Sequence, residues 1–72
     1  MALWWNRWVA FRTEGGSRAE EIDRLQAHFK SNGLKSKITL EGSSLKRIHV
    51  RSKDEDRAKE LAASFDAEHS KL

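Results

Sequence analysis

Residues 35–51, Lys35-Ser36-Lys37-Ile38-Thr39-Leu40-Glu41-Gly42-Ser43-Ser44-Leu45-Lys46-Arg47-Ile48-His49-Val50-Arg51, decide the architecture of this chain. Ile38 and Leu40 alternate with Lys37, Thr39 and Glu41, and after Gly42-Ser43-Ser44 the residues Ile48 and Val50 alternate with Arg47, His49 and Arg51. Apolar side chains at every second position line one side of an extended chain, and a short glycine-containing link between two such runs makes a hairpin. The pattern predicts strands over 35–41 and Leu45–Arg51, each with one dry and one wet side.

The flanks read as helices. Upstream, Ala19, Ile22, Leu25, Gln26 and Phe29 fall on one stripe at helical spacing, which predicts a helix over 17–32. Ser17 followed by Glu20 has the spacing of a capping box, in which the hydroxyl accepts from a free backbone N–H. Asn32-Gly33 ends the helix, with Gly33 suited to the left-handed position and Leu34 to the apolar contact that follows it. Downstream, Ala58, Leu61, Ala62 and Phe65 make the stripe of a helix over 53–69, with Ser52 and Glu55 as a second capping box. Asp54, Glu55 and Asp56 suit its first turn, where the helix dipole favours negative charge. Before the first helix, 4–13 is rich in tryptophan, valine and phenylalanine and predicts another strand. Strict alternation there puts Val9 and Phe11 on one face and Trp8, Ala10 and Arg12 on the other, with Glu14-Gly15-Gly16 breaking the strand.

The element order is therefore β-α-β-β-α, an α+β domain covering 1–72 without prolines, internal repeats or low-complexity tracts. A right-handed crossover after strand one leaves room for strand three between strands one and two. The expected fold is a three-stranded antiparallel sheet of order 1-3-2 with two helices on one face, a ferredoxin-like arrangement truncated before its last strand. Its expected core is Val9, Phe11, Ile22, Leu25, Phe29, Leu34, Ile38, Leu40, Ile48, Val50, Ala58, Leu61, Ala62 and Phe65.

With 72 residues and no cysteine, stability has to come from packing or self-association, since no disulfide or thiolate metal site can add to it. The net charge of +3 is small, but it is unevenly spread. Residues 35–53 hold six basic residues against one acid, and 54–72 hold six acids against three bases. The apolar start of the chain is too short to span a bilayer and lacks a cleavage signature, so a cytoplasmic location is expected.

Three segments carry a family resemblance: Leu3-Trp4-Trp5-Asn6-Arg7 at the start, Asn32-Gly33-Leu34-Lys35 after the first helix, and Ile48-His49-Val50 followed by Lys53-Asp54 and Ala58-Lys59-Glu60-Leu61. Together they resemble a family of very small bacterial proteins of uncharacterised function, loosely described as signal-transducing. The resemblance covers nearly the whole chain and implies a bacterial cytoplasmic protein without catalytic residues.

No reactive constellation stands out. His28, His49 and His69 are not spaced as a metal-binding pair, and no nucleophile has a base beside it. No cofactor, metal or small-molecule substrate is therefore expected, and the chain reads as non-enzymatic. Gly15-Gly16-Ser17 lacks the lysine and spacing of a phosphate loop. What remains is the helix-free side of the sheet and the tryptophans at 4, 5 and 8. Tryptophan concentrates at protein contacts because its ring is large and its N–H polar. The expected partner-binding residues are Trp4, Trp5, Trp8, Arg12, Arg47, His49 and Arg51, and the preferred partner is a protein or a second copy of the chain. The alternative is single-stranded nucleic acid on the basic sheet face, although such platforms use more than one aromatic. A membrane surface is disfavoured, because Arg7 is the one basic residue near the tryptophans.

Overall fold

A computed structural model describes residues 7–69. The elements are β1 (Trp8–Gly15), α1 (Ala19–Ser31), β2 (Ser36–Gly42), β3 (Leu45–Arg51) and α2 (Glu55–His69). Short 3-10 turns over Gly16–Arg18 and Ser52–Asp54 lead into the two helices. The sheet is antiparallel with order β1-β3-β2, the α+β architecture expected from the alternation.

Both helices pack on the same side. Ile22, Leu25, Phe29, Leu34, Ile48, Val50, Ala58, Ala62 and Phe65 form one buried cluster, and Val9, Phe11, Ile38 and Leu61 are partly buried against it. Ala19 is also buried at the start of α1. The Phe11 and Phe29 rings meet edge to face with centroids 5.7 Å apart. α1 stops where Gly33 takes φ +78°. The Gly33 N–H donates to the Lys30 carbonyl and the Leu34 N–H to the Phe29 carbonyl, which closes the helix in a Schellman motif and seats Leu34 in the core.

Four details differ from the sequence reading. Residues 4–6 of the expected first strand lie outside the described residues, and β1 continues through Glu14 and Gly15, which pair with Lys46 and Leu45. The chain turns at Gly16, at φ +62°, the last residue of the expected Glu14-Gly15-Gly16 break. Ser17 falls inside the first 3-10 turn, and Arg18 at the cap position of α1 makes no side-chain cap bond. Arg18 pairs instead with Glu14 and Glu21. Ser52 likewise opens a turn, and α2 itself starts at Glu55.

The third difference changes the sheet face. Ala10 stands opposite His49 and Arg12 opposite Ile48, so Phe11 is an extra residue on β1, a bulge. Phe11 and Arg12 then both point to the helix side. Phe11 joins the core, and Arg12 donates twice to the Asp66 carboxylate of α2, at 3.0 and 2.9 Å. The expectation that Arg12 lies on the open face with Trp8 is corrected: Thr13, opposite Arg47, takes that place.

The fourth concerns Leu40. It stands opposite Lys46 on the helix side, as alternation requires, yet it is 75% exposed rather than buried. On the outer strand β2 the apolar cluster ends at Ile38.

Candidate binding face of the sheet

The side of the sheet away from the helices is built in cross-strand rungs. Trp8 faces Arg51; Ala10, His49 and Lys37 form the next rung; Thr13, Arg47 and Thr39 form the third. Strand pleating puts Arg47, His49 and Arg51 on this face because they alternate with the buried Ile48 and Val50.

At one end the Trp8 indole lies against two cations. The Arg51 guanidinium carbon is 4.2 Å and the Lys37 Nζ 5.0 Å from the ring centroid, distances at which the ring quadrupole attracts positive charge. Trp8 thus holds two long, flexible side chains on the face.

At the other end the polar groups are linked. Arg47 Nε donates to Thr13 Oγ1 at 2.9 Å, and its Nη1 lies 3.4 Å from Glu41 Oε1. The Thr39 hydroxyl donates to the Glu41 carboxylate, which can only accept, so the same oxygen accepts from His49 Nε2–H at 2.8 Å. That assigns the ring proton to Nε2 and leaves Nδ1 as the acceptor in neutral His49.

The charges act on one another. His49 is held below the usual histidine pKa by partial burial first, then by the positive charges of Lys37 and Arg47, against the opposing pull of Glu41. The Glu41 carboxyl is lowered chiefly by the Thr39 hydrogen bond, with Arg47 and His49 adding to it. Arg12, on the other side, is raised chiefly by its hydrogen bond to Asp66.

The His49 shift has a sign that can be measured. A depressed folded-state pKa means the unfolded chain takes up the proton first as pH falls. The contribution of neutral His49 is therefore complete above the ordinary histidine value and is lost as pH drops toward and through the lower folded value. Glu41 acts in the same direction at still lower pH. Urea midpoints should fall between pH 7.5 and 5, and His49→Gln should flatten that slope. A slope unchanged in His49→Gln would show that other groups cause it.

Of the residues singled out in the sequence, Trp8, His49, Arg47 and Arg51 come together on this face, and Arg12 does not. Trp4 and Trp5 lie outside the described residues. Thr13, Thr39 and Glu41 supply the hydrogen-bond network. Of these, Thr13 was missed, because only the bulge brings it opposite Arg47. Among the described residues no cluster of three or more His, Asp or Glu could hold a metal ion, and no helix is long and apolar enough to cross a membrane. No protein-family model, curated protein or solved structure matches the chain.

Proposed function

We propose that this chain is a non-enzymatic binding module that takes up an extended acidic segment of a partner protein along the open face of its sheet. One observation carries the reading: Arg47, His49 and Arg51 occupy alternate positions of the central strand, with Lys37 beside them on β2. At a rise of about 3.3 Å per residue they are roughly 6.6 Å apart. An extended peptide with carboxylates at every second residue presents charge at the same interval, and a carboxylate set over neutral His49 favours uptake of a proton there. Trp8 closes one end of this row and offers an apolar contact. Among the described residues the face carries one tryptophan, which favours a peptide over a row of stacked bases, since such platforms use two or three aromatics. The resemblance of the Asn32-Gly33-Leu34-Lys35 and Ile48-His49-Val50 segments to small bacterial proteins of uncharacterised function, loosely described as signal-transducing, would fit recruitment in the cytoplasm.

Calorimetric titration with three ligands tests this. The first is a peptide with glutamate at alternate positions, the second a peptide of equal charge with its glutamates in succession, and the third an oligothymidylate. The alternating peptide should bind about tenfold tighter than the clustered one, a difference of about 1.4 kcal/mol. Its affinity should fall with added salt, as exposed ion pairs are screened. Tighter binding of the oligothymidylate would make the face a nucleic-acid site, and equal affinity for the two peptides would remove the spacing argument. Sedimentation at the same concentrations separates a peptide partner from a second copy of the chain.

A further inference from the structure

A second concavity lies next to the open face. It runs from the Trp8 indole round the end of the sheet to the last turn of α1, has a volume of about 530 Å³, and includes Gln26, Lys30, Leu34 and Lys35 in its lining. We infer that this groove is a binding site for a small, flat organic anion, a ligand with an aromatic body and a carboxylate or phosphate group.

Size is the first argument. The volume falls within the roughly 300–1,000 Å³ of ligand pockets. Over Gly33 the space is open, since a Cβ added there would meet nothing within 4 Å.

Charge is the second argument. Lys30 and Lys35 both line the groove, no carboxylate among the described residues lines it, and neither lysine makes an ion pair there. A helix C-terminus ordinarily repels anions through its free carbonyls. Here those carbonyls already hold donors. His28 accepts from Ser31 and Asn32 side chains, Phe29 and Lys30 from the backbone of the turn, and Asn32 from Arg57. The repulsive end of the dipole is thereby largely answered, and the lysines set the sign of the local field.

Shape is the third argument. Trp8 gives a flat aromatic wall and Leu34, almost wholly buried, an apolar floor. An aromatic body packs on the Leu34 floor and meets the edge of the indole, whose ring already holds Arg51 and Lys37. Gln26 Nε2 donates to the Ser36 carbonyl at 3.4 Å, which leaves the lysines as the groups that meet the anion.

The inference is independent of the acidic-peptide reading, although both sites use Trp8. Titration with 1-naphthoate, followed by NMR, tests it on the full chain. The expected result is saturable shifts at Gly33, Lys35 and the Trp8 indole. The neutral 1-naphthalenemethanol should bind at least tenfold more weakly. The double variant Lys30→Glu/Lys35→Glu should weaken naphthoate binding at least tenfold, and Lys30→Ala/Lys35→Ala should weaken it in the same direction with less strain on the fold. Arg47→Glu should change it less than twofold, so a loss in Arg47→Glu would place the anion on the open face and overturn the assignment. Absence of saturable shifts, equal affinity for the neutral analogue, or indifference to both lysine pairs would overturn it as well.

Discussion

Phe29→Ala should remove most of the stability of this domain. Phe29 is wholly buried, sits in the centre of the cluster between α1 and the sheet, and meets the Phe11 ring edge to face. Truncating such a ring costs about 3–5 kcal/mol through lost burial and the cavity left behind. A chain of 72 residues has a total stability of about 4–11 kcal/mol at roughly 0.05–0.15 kcal/mol per residue. At about 4–8 °C per kcal/mol for a domain of this size, the melting temperature should fall by roughly 12–40 °C. Thermal melts by circular dichroism measure it. Leu40→Ser is the matching control. Leu40 shares the strand alternation of Ile38 but is 75% exposed, and its replacement should change stability by no more than about 0.5 kcal/mol. A large loss in Leu40→Ser would mean that the helix layer reaches further along β2 than Ile38.

The contrast between Phe29 and Leu40 shows what the residue pattern encodes. Helical stripes and strand alternation depend on local spacing, so element order, strand order and nearly all of the core follow from the sequence. The direction of Leu40 follows too, since it points to the helix side opposite Lys46. How far the helices extend over β2 does not, because that depends on where α1 and α2 come to rest. The bulge at Phe11 was hidden for a related reason. Nothing in Val9-Ala10-Phe11-Arg12 breaks alternation, and the group that holds Arg12 on the helix side, Asp66, is 54 residues away in sequence. Ser17 has the right neighbour for a capping box, but Gly16 enters the left-handed region and the chain forms a 3-10 turn instead. The groove beside Trp8 joins β1 to the segment from Gln26 to Ser36, and only the closed sheet brings them together.

Arg12 and Arg47 carry the same charge on the same sheet, and the bulge gives them opposite duties. In Arg12→Ala the two hydrogen bonds to Asp66 are lost, with the side chains 24% and 53% exposed respectively. A pair this open to solvent contributes about 0.5–1 kcal/mol, so the melting temperature should fall by several degrees, on the order of 2–8 °C. Affinity for the alternating acidic peptide should stay within a factor of two, because Arg12 lies on the far side of the sheet. Arg47→Glu works the other way. It reverses the charge in the third rung, removes the bond to Thr13 and sets a second carboxylate beside Glu41. The folded state tolerates this, since Arg47 is itself 37% exposed and solvent screens the repulsion. The peptide meets repulsion where it met attraction, and its dissociation constant should rise at least about tenfold. Melting curves and peptide titrations on the two variants form a crossed pair. If Arg12→Ala weakened the peptide as much as Arg47→Glu, the two arginines would share a face and β1 would run without its bulge. If Arg47→Glu left the peptide untouched, the row of alternating bases on β3 would have no part in binding it.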